Sequence, residues 1–387
     1  MLRSFSVQAT SAGLLAAFVG FASSFAVCVN GLVAVGASPA EAASGLMALA
    51  VAMGLSGILL SVRFRMPISV AWSTPGAALL ATAGAVDGGF PAAVGAFLVV
   101  GAAIVVAGLW KPLGRAVAAI PAPLANAMLA GVLLGLCLKP VKAVAAEPVL
   151  GLVIVAVWAL VARWKRVLAV PAAVIVAVVA IAATTTMPAG VVAGLAPHPV
   201  FTVPTLSVSA LVGIAVPLFI VTMASQNIPG MAVLNVNGYR PDLGPLLRGT
   251  GLFTLLAAPF GGHAVNLAAI TAALCAGPDA HPDPSRRWWA AVVCGVAYVV
   301  LGLVSGAATA FIAASPPVLI EAVAGLALLG AFGASLSAAM AANEEREAAV
   351  VTFVVTASGL SFLGVSGAFW GLLAGGAMLG LARFRRG

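Results

Sequence analysis

The sequence predicts an all-α polytopic membrane protein of fourteen transmembrane spans, built as a seven-plus-seven inverted repeat in which spans three and ten are discontinuous half-helices. Three observations lead there. The chain has 387 residues, of which 63% are hydrophobic and only 7% charged, so it carries far more apolar side chain than a water-facing surface tolerates. Its basic residues stand singly or in pairs between apolar runs, where topology determinants lie. Two short, interrupted apolar stretches, 66–84 and 259–277, occupy matching places in the two halves.

In order, the apolar runs place spans at 12–35, 43–62, 68–84, 91–110, 121–138, 148–163 and 168–187 in the first half. The second half has them at 206–226, 243–258, 263–277, 288–313, 317–340, 348–363 and 366–382. With the N-terminus in the cytoplasm and strict alternation, every basic residue faces the cytoplasm except Lys139 and Lys142. That bias fixes the orientation, with both termini inside. It also accounts for the net charge of +8 without a nucleic-acid partner. Seven spans precede the Pro-rich loop 195–204 and seven follow it. An odd number per half makes the halves enter the membrane in opposite senses. Repeated glycines (Gly95, Gly101, Gly108; Gly325, Gly330, Gly333) are expected to let helices pack closely.

The third span, MPISVAWSTPGAALLATAG, opens with strand-like alternation at Ile68, Val70 and Trp72 and changes at Ser73-Thr74-Pro75-Gly76. A hydroxyl followed by Pro starts a helix, because the side-chain oxygen caps free N–H groups and Pro has none to leave unpaired. The apolar run ends at Gly84, about half a bilayer later. The tenth span, PFGGHAVNLAAITAALCAG, follows the same plan, with Asn266 as its capping candidate. Span eight brings Ser225, Gln226 and Asn227 up to Pro229-Gly230, a pair expected to break its helix. Span one, its counterpart, contains Ser23, Ser24 and Asn30.

A helix N-terminus carries unpaired N–H groups and about half a positive charge, so two of them facing one cavity favour an anion. No basic residue sits in the middle of a span, so a midplane anion must be held by dipoles and neutral donors. The donors are Ser73, Thr74, Gln226, Asn227, His263 and Asn266, alongside Ser225 and the close-approach position Gly76. The same side chains can instead satisfy broken backbone. For Gln226 and Asn227 the binding role is favoured, since adjacent amides in an apolar span are costly without a purpose. Proton coupling needs a titratable group in the membrane, and the candidates are His263 and Glu321. His263 can equally hold the lead-in backbone, and Glu321 can serve as a first-turn acid complementing the helix dipole.

Cys28, Cys137, Cys275 and Cys294 lie in apolar segments without ligand spacing, so no metal or cofactor is expected. No GxSxG, HExxH or P-loop occurs, which disfavours an enzyme. A passive anion channel remains as the reading from another class, since half-helices also build filters.

The segments AWSTPGAALLA (71–81), MASQNIPGMAVLN (223–235) and FGGHAVNLAAITAALCAG (260–277) resemble the benzoate/proton symporter family, BenE-type. The likeness runs over nearly the whole chain. It implies uptake of benzoate or a similar aromatic carboxylate with a proton, by alternating access, across the bacterial inner membrane. It also implies the nucleobase/sulfate-permease-like fold, with short strands leading into spans three and ten. By that likeness residues 1–115 and 201–314 form a core domain, and 116–200 and 315–387 a gate domain. Relatives by fold often pair through their gates, so a homodimer is an option by analogy. Related nucleobase carriers place carboxylates in spans eight and ten, where this chain has Ser225-Gln226 and the turn from Asn266 to Ile270. Their absence suits an anionic substrate and leaves the proton on His263, on Glu321, or on the substrate itself. The alternative within the fold is a permease for a nucleobase or another small anion.

Overall fold

The computed structural model describes residues 6–110, 121–184, 197–268, 270–362 and 365–384. Arg3, Lys111, Arg115, Arg385 and Arg386, with the first part of the 195–204 loop and the end of the seventh expected span, lie outside the described residues.

Span one is two helices, α1 (Val7–Ala22) and α2 (Phe25–Ala34). They part at Ser23-Ser24, whose hydroxyls both turn back to the Gly20 carbonyl, at 3.2 and 3.0 Å, in competition with the backbone ladder. Helix α3 (Pro39–Phe64) starts at a capping box between Ser38 and Glu41. Strand β1 (Val70–Trp72), the short α4 (Thr74–Ala83) and α5 (Gly89–Leu109) follow. Then come α6 (Ala122–Cys137), the surface turn α7 (Lys139–Ala146), α8 (Pro148–Trp164) and α9 (Ala169–Thr184).

The second half opens with α10 (Val208–Asn235). Two π-helical stretches, Leu211–Ala215 and Met223–Asn227, widen it, and each is followed two residues later by a proline, Pro217 and Pro229. A widened turn makes room for a ring that crowds the preceding carbonyl and has no N–H to donate. Span eight therefore runs through Pro229-Gly230 where the sequence predicted a break. Next are α11 (Leu243–Ala257), strand β2 (Val265–Leu267), α12 (Ile270–Ala276), α13 (Trp288–Leu303), α14 (Gly306–Ala314) and α15 (Pro317–Met340). Helix α16 (Arg346–Ala357), a two-residue hairpin of β3 (Ser361–Phe362) with β4 (Val365–Ser366), and α17 (Gly367–Phe384) complete the described chain.

Among the described residues eight helices are long and apolar enough to cross a membrane, so this is a mostly helical multi-pass membrane protein. Large apolar side chains such as Leu59, Val106, Leu160 and Val179 are exposed around them, as lipid contact requires. Close packing is set by small residues. A Cβ on Gly54 would lie 2.5 Å from the Gly295 carbonyl oxygen, and one on Gly295 would lie 2.6 Å from that of Gly54, which locks α3 to α13. Gly108 and Gly244 do the same for α5 and α11, at 2.7 and 2.9 Å. Of the glycines singled out from the sequence, Gly333 has nothing within 4 Å and Gly330 only the Arg166 guanidinium at 3.8 Å, so these two are not packing positions within the chain.

Connections gather into two groups. In one, the Thr202 N–H donates to the Pro259 carbonyl, the Thr202 hydroxyl to Glu41, and the Thr205 N–H to the Pro91 carbonyl. In the other, Gln8 donates to the Asp279 carbonyl, Tyr239 to the Pro284 carbonyl, and the Arg65 guanidinium lies 4.6 Å over the Trp288 ring.

Candidate functional site

Strands β1 and β2 are separated by nearly two hundred residues yet pair antiparallel, with Val70 opposite Leu267, Ala71 opposite Asn266 and Trp72 opposite Val265. The ladder is extended at both ends, by the Ser73 N–H to the Ala264 carbonyl and the Ala268 N–H to the Ser69 carbonyl, each at 3.0 Å. Because the pairing is antiparallel, α4 leaves one end of the ladder and α12 the other. At ~3.3 Å per residue the two ends of the Val70–Trp72 ladder lie about 7 Å apart, among buried side chains.

At the α4 end the cap is Ser73, fully buried, whose Oγ accepts the Gly76 N–H at 3.1 Å. The Thr222 hydroxyl of α10 donates to the same oxygen at 3.0 Å, which joins this helix start to span eight. Thr74, expected as the capping hydroxyl, is instead the first helical residue and half-buried. Gly76 leaves space for Leu218, whose Cδ1 would sit 2.4 Å from a Cβ there.

The α12 end corrects a second expectation. Asn266 is the central residue of β2 and caps nothing; the helix begins only at Ile270. Its side chain is fully buried, with Nδ2 donating to the Leu267 carbonyl at 2.9 Å and Oδ1 without a partner among the described residues. His263 is also fully buried, edge-on to Phe97 with ring centroids 6.3 Å apart, and neither ring nitrogen has a partner among the described residues. Unpaired buried polar atoms are expensive, and a site that uses them is one reason for them to persist.

Span eight supplies one committed amide and one uncommitted. Asn227 accepts the Leu267 N–H on Oδ1 at 3.0 Å and directs Nδ2 to the Met223 sulfur at 3.3 Å. It holds β2 in place, the backbone-satisfying alternative considered for this residue. Ser225 and Gln226 are half-buried, and their side chains form no hydrogen bond among the described residues.

Further contacts around the ladder depend on tertiary neighbours that the sequence does not reveal. Thr254 of α11 accepts the Val265 N–H at 2.9 Å and so anchors β2 from the other side. Trp72 donates its indole N–H to Ser24 at 2.8 Å, tying β1 to the break in span one, where Phe21 lies 5.3 Å from the Trp72 ring. The buried Arg287 donates to the carbonyls of Ala276, His281 and Pro282, at 2.9, 2.6 and 3.3 Å, and so caps the C-terminal end of α12. A threonine four residues before Gln226 is the only local signal that could have pointed to Thr222.

Glu321 is not part of this group. It pairs with Lys139 at 2.9 Å and lines a separate cleft that also includes Asn30, Thr309 and Ser315. The strand-pair residues are thus brought together from spans three, eight and ten, with Glu321 apart from them. Among the described residues no cluster of three or more His, Cys, Asp or Glu suited to a metal ion occurs.

A family model described as "BenE: Benzoate membrane transport protein" matches residues 3–381. The inner membrane protein YdcO of Escherichia coli K12 is 41% identical over 377 residues, covering 97% of this chain and 96% of that protein. The benzoate membrane transport protein of Acinetobacter baylyi is 31% identical over 378 residues, covering 96% and 94%. Among solved structures, the transmembrane domain of the cyanobacterial bicarbonate transporter BicA superposes with a TM-score of 0.61 at 13% identity, covering 96% of this chain and 98% of that one. Murine Solute Carrier 26 family member A9, an anion transporter in the inward-facing state, gives 0.67 at 13% identity, over 99% and 69%. At such low identity these two establish a shared fold.

Proposed function

Since the chain belongs to the BenE family of benzoate membrane transport proteins, and is therefore a membrane transporter and not an enzyme, we propose that it imports benzoate or a similar aromatic carboxylate together with a proton, by alternating access, across the bacterial inner membrane. The observation that carries this reading is the β1–β2 ladder, with α4 departing from it and, beside it, the buried ring nitrogens of His263, which have no partner among the described residues. In this proposal the substrate carboxylate rests next to the ladder, at the start of α4, without a cationic partner. Its donors come from Thr74, Gln226, His263 and the Asn266 amide, with Asn227 holding β2 beside it, and its ring lies against span one near Phe21. Movement with a proton makes the transferred unit neutral, which lowers the cost of carrying it through an apolar interior.

The fourteen-span inverted repeat belongs to the same proposal. It is supported by the symmetry of the packing: α3 on α13 and α5 on α11 become equivalent when spans two and four exchange with nine and eleven. The two groups of connections also fit an alternation in which both termini face the cytoplasm. Residues 1–115 and 201–314 would form the core and 116–200 and 315–387 the gate, and the proton would be carried by His263 or by the substrate itself.

Uptake of labelled benzoate into proteoliposomes, with and without an inward acid gradient, tests this directly. Accumulation that grows with the gradient is expected. Uptake indifferent to the gradient would count against symport, and flux far beyond carrier turnover would favour a channel.

A further inference from the structure

The cleft that contains Glu321 is a second built feature. It has a volume of about 470 Å³, within the range of ~300–1,000 Å³ usual for small-molecule sites. Its walls come from α2, the start of α3, the end of α14 and the start of α15. They combine an apolar lining, including Val33 and Ile312, with the polar side chains of Asn30, Thr309 and Ser315. Lys139 stands beside it, its ammonium 2.9 Å from Glu321 Oε2, with the Lys139 and Glu321 side chains 30% and 33% exposed. A lysine ammonium has three donors, and Glu321 takes one. Other charged side chains lie in the connections on this side. Glu41 is engaged with Ser38 and Thr202, while Lys142 and Glu147 are on or at the end of α7.

We infer that this cleft is a second binding site for an aromatic carboxylate, with the ring between the α2 and α14–α15 walls and the carboxylate on the free donors of Lys139. This rests on the proposed function, since it supplies the same substrate with an outer station before the strand-pair site. An apolar slot with one cation at its rim suits a flat ring bearing a single negative group. Glu321 holds the ammonium at the mouth while the cleft is empty, and it competes with an arriving anion for that charge.

The pair therefore has opposite effects, which an ordinary stabilising ion pair would not produce. In benzoate uptake by proteoliposomes, Lys139→Gln is expected to raise KM about ten-fold with kcat retained, from loss of a charge-assisted contact. Glu321→Gln, which removes the competing charge and leaves the ammonium, is expected to lower KM several-fold. Val33→Trp, filling the cleft from an exposed position without touching the pair, is expected to raise KM with an unchanged yield of folded protein. Equal increases in KM for both charge variants would make the pair a structural tie and overturn the inference. Unchanged KM in Lys139→Gln and Val33→Trp would also overturn it and leave the cleft to lipid tails. Wild-type protein that accumulates no benzoate would instead remove the proposed function, a result distinct from either of these.

Discussion

The side-chain oxygen of Asn227 accepts the backbone N–H of Leu267 at 3.0 Å, so an amide on span eight holds the α12 end of the membrane-embedded strand pair. Its sequence neighbour Gln226 has no such attachment. Two adjacent amides of the same chemistry thus have different jobs, and mutation should separate them.

Asn227→Ala should lower the melting temperature, because it leaves a buried N–H unpaired at a cost of about 1–3 kcal/mol. Gln226→Ala should leave melting unchanged and weaken benzoate binding by about 1–3 kcal/mol. Thermal unfolding in detergent together with a binding titration reads both. An unchanged affinity in Gln226→Ala would remove that residue from the site.

His263 offers a sharper contrast between stability and function. Both of its ring nitrogens are buried and have no partner among the described residues, so an apolar replacement such as His263→Leu should fold at least as stably as wild type. The same variant should lose acid-driven accumulation. His263→Gln that still accumulates benzoate against an acid gradient would exclude His263 as the obligatory proton carrier.

Close approach between span one and α4 depends on Gly31, where a Cβ would lie 2.4 Å from the Ala77 carbonyl oxygen. Backbone cannot yield as a side-chain tip does, so Gly31→Ala should cost about 1–3 kcal/mol and reduce transport. Gly333→Ala, with nothing within 4 Å, is the matched control and should be neutral or slightly stabilising. The two melting temperatures decide the matter.

Arg287→Ala should destabilise the protein by more than 3 kcal/mol, since hydrogen bonds to a charged group contribute about 1.5–3 kcal/mol each and three are lost. Arg287→Lys should recover only part of this, because an ammonium cannot reproduce the planar fork. Equal stability of the lysine variant and wild type would show that charge alone is sufficient.

What could be read from the sequence was whatever is local. The Ser73-Thr74-Pro75 start and the Gly84 stop mark α4 because capping and proline geometry act within a few residues. The choice of Ser73 over Thr74 as cap depended on Thr222, which arrives from span eight. Asn266 looked like a cap because its strand exists only through pairing with β1, almost two hundred residues away. Pro229 looked like a helix end because the widened turn before it is a tertiary accommodation with no local sequence sign. Arg287 read as one more positive charge by the cytoplasm, and its role at the end of α12 depended on how the 277–287 connection folds back.

The two-strand ladder also limits what can move. Main-chain bonds splice stretches from the two halves of the polypeptide into one piece, so neither half-helix can slide without dragging the other. In the proposed transport cycle a passenger lodged beside that splice would travel with it, and the yielding would fall to the helices around it.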